Sequence, residues 1–457
     1  MKSSYNCMVV GVMVCLICPL ANSQEPAQKQ IQEPAQKQVQ EPASVDATAD
    51  IPRPRFMDAP MDFSREPEVA PIEGPSPSQI ERSIERGVEF LILSQNPDGS
   101  FGSHVSKRIG EIYAPMPGSH HAFRGATTAL SISALIECKG DDPQARASIM
   151  AAQDWMLKNF PRVKRAQGDT IYNVWAHAYG IQALVRLKKL PDQTEVALAA
   201  IDDLIRQQIT MLEKYESIDG GWGYYDFVAQ GRKPTGSSIS FVNATVLIAL
   251  DEAADVGIEV PKKIVDRAVA AIKRQQKKDF TYLYGEYLKN RPMSGINRPG
   301  GSLGRSQACN LALRLWGDKE ITDNVLKVWL YRLYLRNGWL DIGRKRPIPH
   351  EAWMQVAGYF YYYGHYYAGM CIDQLQPEDR DKYRNLLAKI LIKHQEPDGC
   401  WWDYTLYNYY KQYGTAYALM AMQRCLPTDD TENGEEQWVC PGKLGKFLRC
   451  LEKIYLK

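Results

Sequence analysis

The sequence predicts an all-α protein, an (α/α)6 toroid of six helical hairpins preceded by a disordered Pro/Gln-rich arm. Segments with apolar residues at helical spacing recur at intervals of about 60 residues through residues 78–426. In each interval an amphipathic helix alternates with a helix that is apolar on nearly every face, which indicates burial. Stacked hairpins of this kind can close into a ring with the buried helices inside. An open solenoid is the alternative arrangement.

The first amphipathic helix is predicted to begin at Ser78 as its N-cap, with Ile80, Ile84 and Leu91 on one face. The other amphipathic helices, predicted to be outer, are Arg146–Phe160, Val196–Tyr215, Lys263–Gln276, Asp323–Arg336 and the segment from Tyr383 to His394. The apolar helices, predicted to be inner, are Gly125–Cys138, Asn173–Leu187, Ser238–Ala254, Arg305–Leu315, Glu351–Gln374 and Gly414–Cys425. Residues 427–457 are expected to form a loop and a last helix, Leu444–Leu456, packed on the toroid.

The composition is that of a globular protein. Of the 457 residues, 45% are hydrophobic and 24% are charged, which excludes disorder along the whole chain. The 55 Lys and Arg residues nearly balance the 53 Asp and Glu residues. The resulting net charge of +2 gives no electrostatic reason to expect a nucleic-acid partner.

Residues 1–23 have the features of a secretory signal peptide. The apolar run Met8–Leu20 is too short to span a bilayer, and Ala21–Ser23 supply the small residues of a cleavage site. The sequence therefore predicts an exported protein, either periplasmic or secreted. A lipoprotein signal that uses Cys18 is the alternative, although the residues before this cysteine fit such a signal poorly.

Residues 24–77 form a low-complexity arm between the signal and the folded domain, residues 78–426. The phrase Gln-Glu-Pro-Ala-Gln-Lys-Gln recurs in its first half, and Pro stays frequent as far as Pro77. Such a segment holds too little apolar surface to offset its chain entropy, so it is predicted to be a disordered tether. It would permit peripheral association with a membrane or with envelope material.

One turn motif follows both the first and the last outer helix. It reads Ser94-Gln95-Asn96-Pro97-Asp98-Gly99-Ser100-Phe101-Gly102 in the first and His394-Gln395-Glu396-Pro397-Asp398-Gly399-Cys400-Trp401-Trp402 in the last. In both, Pro stops the helix and Asp-Gly makes a tight turn before an aromatic residue. A third copy of the turn is Ile218–Gly223.

This turn motif resembles the QW motif of squalene–hopene and oxidosqualene cyclases, with Phe101 where the QW motif usually has Trp. As weak repeats, the resemblance covers residues 80–425. It implies the toroid superfamily shared by terpene cyclases and protein prenyltransferase β subunits. It also implies that Gln95 and Gln395 tie neighbouring outer helices together, which is a structural role.

The catalytic sequences of those families are missing. The chain has no Asp-x-Asp-Asp for protonating an alkene and no Asp-Asp-x-x-Asp for diphosphate-bound magnesium. It also lacks the Gly-Cys-Gly-Glu-Gln thioester sequence of the complement-type toroids. Asp398-Gly399-Cys400 is similar to the zinc-binding Asp-x-Cys of prenyltransferases, but no His follows His394. Conventional squalene cyclisation is therefore disfavoured, and no metal or cofactor is predicted. Whether the protein is an enzyme is left open; the resemblance implies an isomerase or a transferase if it is one.

Candidate catalytic residues are expected at the rim of the ring. Three histidines lie near predicted starts of inner helices and could transfer protons, and three carboxylates lie beside aromatic residues that could raise their pKa values. These candidates are His121, His177, His365, Asp226, Glu286 and Asp403.

Aromatic side chains are expected to line a central cavity and to bind the ligand. The candidates are Trp175, Trp222, Tyr224, Tyr284, Tyr363, Trp401, Trp402 and Tyr407. Their π faces could stabilise the cations of terpenoid chemistry or stack on sugar rings. Three hypotheses follow: an exported toroid that binds an apolar, isoprenoid-like ligand, a polysaccharide-active lyase or hydrolase on the same barrel, and a non-catalytic envelope scaffold. The first is placed ahead. In an oxidising compartment Cys425, Cys440 and Cys450 could supply one disulfide.

Overall fold

An outer and an inner layer of helices alternate along the chain in the computed structural model, which describes residues 61–108, 116–191, 193–226, 233–235 and 238–427. The outer helices are α1 (Pro77–Leu93), α3 (Pro143–Asn159), α5 (Glu195–Tyr215), α7 (Lys262–Gln275), α9 (Asp323–Leu335) and α12 (Pro377–Lys393). The inner helices are α2 (Pro117–Lys139), α4 (Asn173–Lys188), α6 (Ser240–Asp255), α8 (Leu303–Leu315), α11 (Phe360–Asp373) and α13 (Tyr410–Gln423). Short pieces complete the described helices: α10 (Asn337–Asp341) and the 3-10 turns Phe160–Arg162, Glu286–Leu288, Gly295–Asn297, Gly300–Ser302, Trp353–Gln355 and Tyr407–Tyr409.

The inner helices form a closed ring. Helix α2 packs on α4, α4 on α6, α6 on α8, α8 on α11, α11 on α13, and α13 returns to α2. Outer helices pack against the inner ones, as α5 does on α4 and α7 on α6. In an open solenoid the first and last inner helices would not touch. The contact between α13 and α2 therefore confirms the (α/α)6 toroid.

Polar side chains fix the starts of several outer helices. Ser76 forms a capping box with Gln79, because its hydroxyl accepts from the Gln79 N–H while the Gln79 side chain accepts from the Ser76 N–H. The prediction that Ser78 caps this helix is wrong, since Pro77 already occupies the first helical turn, where its missing N–H costs nothing. Asp142 caps α3 through the N–H groups of the next turn.

Two predicted inner helices begin eight or more residues away from their predicted starts. The helix predicted over Gly125–Cys138 begins earlier, at Pro117, where proline is tolerated in the first turn. The helix predicted over Glu351–Gln374 begins later, at Phe360. The residues before it cannot be helical, because Met354 and Gln355 have φ angles of 59° and 53°.

Four turns that follow outer helices share one geometry. In the turns after α1 and α12, the N–H of the residue after glutamine donates to the carbonyl four positions further on, at 2.8 Å in both. Gly99 and Gly399 have φ angles of 86° and 85°, which glycine adopts without steric cost. The turn at residues 217–222 repeats this arrangement, and so do residues 277–282. The last copy is not recognisable in the sequence, because Phe280, with φ of 55°, stands where the others have glycine.

Gln95 and Gln395 tie neighbouring outer helices together, as the resemblance implies. The Gln95 amide donates to the Ser148 carbonyl of α3 at 2.9 Å, and the Ser148 hydroxyl donates back at 2.7 Å. Gln395 makes the same pair of hydrogen bonds with Ser83 of α1, both at 2.9 Å. These bonds join α1 to α3 and α12 to α1. Membership of the QW-motif families remains a prediction.

The middle of the ring is filled by side chains. Tyr417 of α13 donates to Tyr179 of α4 at 2.5 Å, across the intervening helix α2. Tyr367 of α11 donates to Thr245 of α6 at 3.1 Å, across α8. These three tyrosines are at most 6% exposed. The aromatic central cavity expected from the sequence is therefore closed at this level, because long side chains from non-adjacent helices reach each other.

Part of the predicted arm lies against the domain. The Phe63 ring packs edge-on against Phe280 with centroids 4.9 Å apart, and Glu66 pairs with Lys327 at 3.0 Å. The domain boundary predicted at residue 77 is therefore corrected, since Met61, Phe63 and Val69 already pack against the core of the toroid. The reason is that the last part of the arm, unlike its repeats, contains apolar side chains that can be buried.

Several predictions lie outside the described residues. These are the signal peptide, the Gln-rich repeats, the last helix at Leu444–Leu456, and the cysteines Cys440 and Cys450. The described helices include none with the length and apolarity needed to cross a membrane.

Candidate functional site

The N-terminal ends of the inner helices lie together at one end of the ring. There Phe241 of α6 packs edge-on against Phe360 of α11, with centroids 4.9 Å apart. The C-terminal ends meet at the opposite end, where Arg186 forms buried ion pairs with acidic residues of two neighbouring helices. Helix N-termini carry partial positive charge, so the first end favours anions. We call that end the aromatic rim; its rings are Phe123, Trp175, Tyr224, Tyr284, Tyr359 and Tyr409.

A histidine and a tyrosine on the aromatic rim form a directed hydrogen bond. His350 Nδ1 lies 2.8 Å from the Gln355 carbonyl oxygen, which can only accept, so Nδ1 carries the proton. Nε2 is then an acceptor, and the Tyr359 hydroxyl donates to it at 3.0 Å. Burial, together with the charge of Arg305, holds the pKa of His350 below its ordinary 6.5. The imidazole is therefore neutral near pH 7 and can accept the proton of Tyr359.

A buried positive charge lies beneath these hydroxyl groups. The Tyr359 hydroxyl is 3.2 Å from that of Tyr284, which in turn hydrogen-bonds the hydroxyl of Tyr224. The Arg305 guanidinium is fully buried, lies 5.5 Å from the Tyr284 ring and donates to the Gly301 carbonyl at 2.8 Å. Within the described residues, no carboxylate forms an ion pair with Arg305. An uncompensated guanidinium of this kind favours negative charge on nearby phenols, although burial is the larger effect and raises the pKa of Tyr284.

The loop that presents His350 is strained. Lys345, His350, Met354 and Gln355 have φ angles of 65°, 64°, 59° and 53°. Such angles are uncommon for residues other than glycine, and residues held in them cluster at functional sites. The loop is held in place partly by the Lys345 N–H, which donates to the carbonyl of Asp403.

The structure does not bring the three predicted histidines together. His177 is fully buried between α4 and α5, with Nδ1 2.7 Å from the Gln208 amide oxygen. His365 is fully buried in α11, and its Nδ1 donates to the Tyr361 carbonyl at 2.6 Å. Burial lowers the pKa of each to about 4. Both side chains lie in the wall of the ring, between the inner and the outer helices, because their helices also face the outer layer. His121 is half-buried and lines an open cleft.

Two of the predicted carboxylates are paired with arginine. Asp226 accepts from Arg165 at 2.7 Å and from the Thr235 hydroxyl at 2.9 Å. Although burial opposes ionisation, these hydrogen bonds hold the pKa of Asp226 below its ordinary value. Glu286 pairs with Arg274 at 2.5 Å. Asp226 is therefore ionised at neutral pH, and both carboxylates act as ion-pair partners of an arginine.

The third predicted carboxylate supports the strained loop from within the domain. The Asp403 side chain is fully buried and accepts from the Tyr362 N–H at 3.0 Å and from the Tyr413 hydroxyl at 3.1 Å. Burial raises the pKa of this carboxyl to about 7. Because Asp403 has no exposed surface, a ligand at the rim would not touch it in this conformation.

Two predicted ligand-binding tryptophans belong to the packing of the turns. Trp222 and Trp401 are fully buried, and their indole N–H groups donate to the carbonyls of Leu212 and Leu391, each at 2.8 Å. Tyr363 lies in the filled middle of the ring. Because the turn geometry points these rings into the domain, they do not face a ligand.

The remaining predicted aromatic residues are closer to the surface. Trp175 is half-buried and stacks on Tyr179 with centroids 5.9 Å apart. Tyr224 and Tyr284 lie on the aromatic rim as described. Tyr407 packs edge-on against His120 at 4.6 Å. Trp402 is half-buried beneath the ammonium group of Lys345, 4.5 Å from its ring.

The sequence analysis did not select His350, Tyr359 or Arg305 as site residues. The His350–Tyr359 pair depends on positive φ angles at residues other than glycine, which no sequence pattern marks. In the described part of the chain, no group of three or more His, Cys, Asp or Glu side chains is placed to hold a metal ion.

Six inner helices closed inside six outer ones, with a candidate site at their N-terminal ends, define an α/α toroid. No protein-family model matches the sequence, and no curated protein matches it. Among solved structures, the chain is similar to the type II terpene cyclase MstE from Scytonema, with 15% identity over 77% of this chain and 99% of that one and a TM-score of 0.45. It is also similar to an inactive variant of the α-1,6-mannanase GH76A of Salegentibacter sp. HEL1_6 in complex with α-1,6-mannotetrose, with 11% identity over 76% and 99% and a TM-score of 0.49. At this level the similarity concerns the general arrangement of the helices alone.

Proposed function

We propose that this toroid binds an acidic polysaccharide along the aromatic rim and cleaves it by β-elimination, with Tyr359 and His350 as the proton-transferring pair. The observation that carries the proposal is the 3.0 Å hydrogen bond from Tyr359 to a His350 whose tautomer is fixed by the Gln355 carbonyl. It develops the polysaccharide hypothesis of the sequence analysis. Export, which residues 1–23 predict, would bring the protein to extracellular glycans.

The chemistry needs a base but no water and no metal-bound group. His350 takes the Tyr359 proton, and the resulting phenolate removes the C5 proton of a uronate, which its carboxylate makes acidic. The electron pair forms the C4=C5 double bond as the glycosidic C4–O bond breaks. Tyr359, again protonated, gives its proton to the leaving oxygen, and His350 returns the first proton. The net transfer is one proton from C5 to the leaving oxygen.

Two features of the site support an anionic intermediate. Arg305 interacts electrostatically with Tyr359 and Tyr284, and its buried charge has no carboxylate partner among the described residues. The helix N-termini at this end of the ring add partial positive charge. Both effects stabilise a phenolate and a uronate carboxylate where they would form.

Half-buried rings supply the surface for the sugar chain. Trp175 and Tyr224 are partly exposed at the rim, while the tyrosines below them are packed against one another. Aromatic faces suit the apolar faces of sugar rings. A filled ring with a shallow aromatic surface fits an extended chain better than a small apolar molecule that must be enclosed.

The test is a screen of the purified full-length protein against uronate and neutral polysaccharides. We expect new reducing ends together with the ultraviolet absorbance of an unsaturated product, from uronate chains only. Reducing ends without that absorbance would indicate hydrolysis and would reject elimination. No product from any uronate chain would reject the proposal as a whole.

Binding of an isoprenoid-like ligand is the second candidate function, with turnover left open. The supporting observation is the apolar layer in which Trp175 stacks on both Tyr179 and Phe241, each with centroids 5.9 Å apart. Lipid extraction of the purified protein followed by mass spectrometry tests it. A retained isoprenoid lost on Trp175→Ala would support this candidate, and protein free of lipid would reject it.

A further inference from the structure

A cleft of about 960 Å³ opens beside the start of α2 and the end of α3, away from His350 and Tyr359. His121 and Arg124 of α2 line one side, while Lys158 of α3 and Arg162 just after it line the other. Its volume falls within the range of small-molecule sites. None of these residues takes part in the proposed reaction.

The cleft is lined by three cations and two carboxylates, a formal excess of one positive charge with its histidines neutral. Asp98 and Asp154 are its acidic residues, and Asp98 pairs with Arg124 at 2.9 Å. Lys158 and Arg162 form no ion pair with any residue that the structure describes, and both are exposed. The positive field reaches His121, whose pKa is lowered by burial and by the charges of Arg162 and Arg124.

An aromatic wall accompanies these cations and connects the cleft to the rim. The Trp155 ring lines the cleft, with the Arg124 guanidinium 5.8 Å from its centroid. Tyr409 also lines it and lies 6.1 Å from Phe123 of the aromatic rim. Tyr409 therefore belongs both to the lining of the cleft and to the aromatic rim.

We propose that this cleft binds an acidic sugar unit, with Lys158 and Arg162 holding its carboxylate or sulfate group and Trp155 contacting its ring. The inference rests on the proposed function in one respect, since it makes the cleft an outlying position for the same polysaccharide. Cations beside an aromatic wall match a ligand that is both anionic and ring-shaped. A free inorganic anion shares only the first of these properties.

The double variant Lys158→Ala/Arg162→Ala tests the site, and Arg82→Ala/Lys263→Ala is the matched control, since it removes the same two charges from exposed positions on α1 and α7. Calorimetry measures binding of an oligouronate and of a neutral oligosaccharide of equal length. We expect the oligouronate to bind wild type and control alike, and the double variant about tenfold more weakly. Added salt should weaken wild-type binding and have little effect on the double variant. Equal oligouronate affinity in all three proteins would overturn the proposal.

Two further readouts separate the possible failures. The imidazole NMR signal of His121 should shift when oligouronate is added. An equally large shift with inorganic phosphate, added at the same concentration of negative charge, would reject a sugar-specific site. If cleavage occurs and the double variant is unaffected in KM, the cleft assignment fails while the proposed function stands. If the double variant loses oligouronate binding but wild type cleaves nothing, the cleft assignment stands and the proposed function fails.

Discussion

The Nε2 atom of His350 lies 3.0 Å from the phenolic oxygen of Tyr359. Tyr359 immediately precedes α11, whereas His350 belongs to the irregular loop before it, so the pair depends on the shape of that loop. The loop holds four residues other than glycine at positive φ. Strain of this kind persists only where the surrounding structure compensates for it, and the buried Asp403 carbonyl is one such support.

Tyr359→Phe should lower the rate of elimination about 10²- to 10⁴-fold, the usual contribution of one proton-transferring group. The substitution removes only the hydroxyl, so the ring packing should be kept, while the loss of its hydrogen bonds to His350 and Tyr284 should lower the free energy of unfolding by about 1 kcal/mol. Unsaturated product formation measures the first quantity, and urea unfolding followed by circular dichroism measures the second. The control is Tyr287→Phe, because Tyr287 is 55% exposed. Full activity in the Tyr359 variant would contradict the assigned role.

The pH dependence of kcat/KM should show an acid limb with a midpoint below pH 6.5. His350 must be neutral to accept a proton, and burial with the Arg305 charge lowers its pKa from that ordinary value. Activity should therefore rise with pH through a value below 6.5 and remain level toward neutrality. In Arg305→Met the midpoint should move up, since one cause of the lowered pKa is removed. A midpoint above 6.5 in the wild type would be inconsistent with a neutral His350.

Asp403→Asn should remove a pH dependence of stability. Burial raises the folded-state pKa of this carboxyl from 3.8 to about 7. The folded state therefore binds the proton more tightly, and this stabilisation, complete below the unfolded pKa, is lost as the pH rises through about 7. Between pH 5 and 8, the wild-type free energy of unfolding should fall by roughly 2–3 kcal/mol relative to the variant. Urea unfolding of both proteins at the two pH values measures the difference between their free energies of unfolding. A difference that is the same at both pH values would contradict the raised pKa of Asp403.

Gln395→Ala should lower the free energy of unfolding by about 1–3 kcal/mol, because it leaves the Ser83 hydroxyl and carbonyl without their partners. Elimination activity per folded molecule should not change, since the glutamine lies in the outer wall. Gln144→Ala, at an exposed position of α3, should change stability by no more than about 0.5 kcal/mol. Urea unfolding compares the wild type with the two variants. An equal loss of unfolding free energy in both variants would show that the hydrogen bonds of Gln395 to Ser83 do not stabilise the domain.

Local patterns predicted the helices well. Amphipathic periodicity located the outer helices with starts within three residues, except for α12, which begins six residues before the predicted Tyr383. It succeeds because it requires only that one face be buried. Ser78 was predicted as the N-cap from its place before the apolar periodicity, whereas the structure shows that the Ser76 hydroxyl accepts from the Gln79 N–H. The turn at residues 277–282 was missed because Phe280 replaces the glycine that identified the other copies.

The candidate site was predicted less well than the fold. Trp222 and Trp401 were chosen for their chemistry, but aromatic side chains serve both packing and binding, and their direction is set by the turn. His177 and His365 were chosen for their place near helix starts, yet each faces the wall. Of the residues predicted for the site, His121 lines the open cleft. Tyr224 and Tyr284 are joined by a hydrogen bond between their hydroxyl groups on the aromatic rim.

The sequence by itself determined that amphipathic helices alternate with apolar ones, and that the turns with Gln95 and Gln395 follow the first and last outer helices. Both features depend on residues close together in the chain. The tertiary structure decided that the ring closes, that tyrosines fill its middle and that His350 meets Tyr359. Those outcomes depend on how far side chains reach between helices distant in sequence and on backbone angles that residue types alone do not specify.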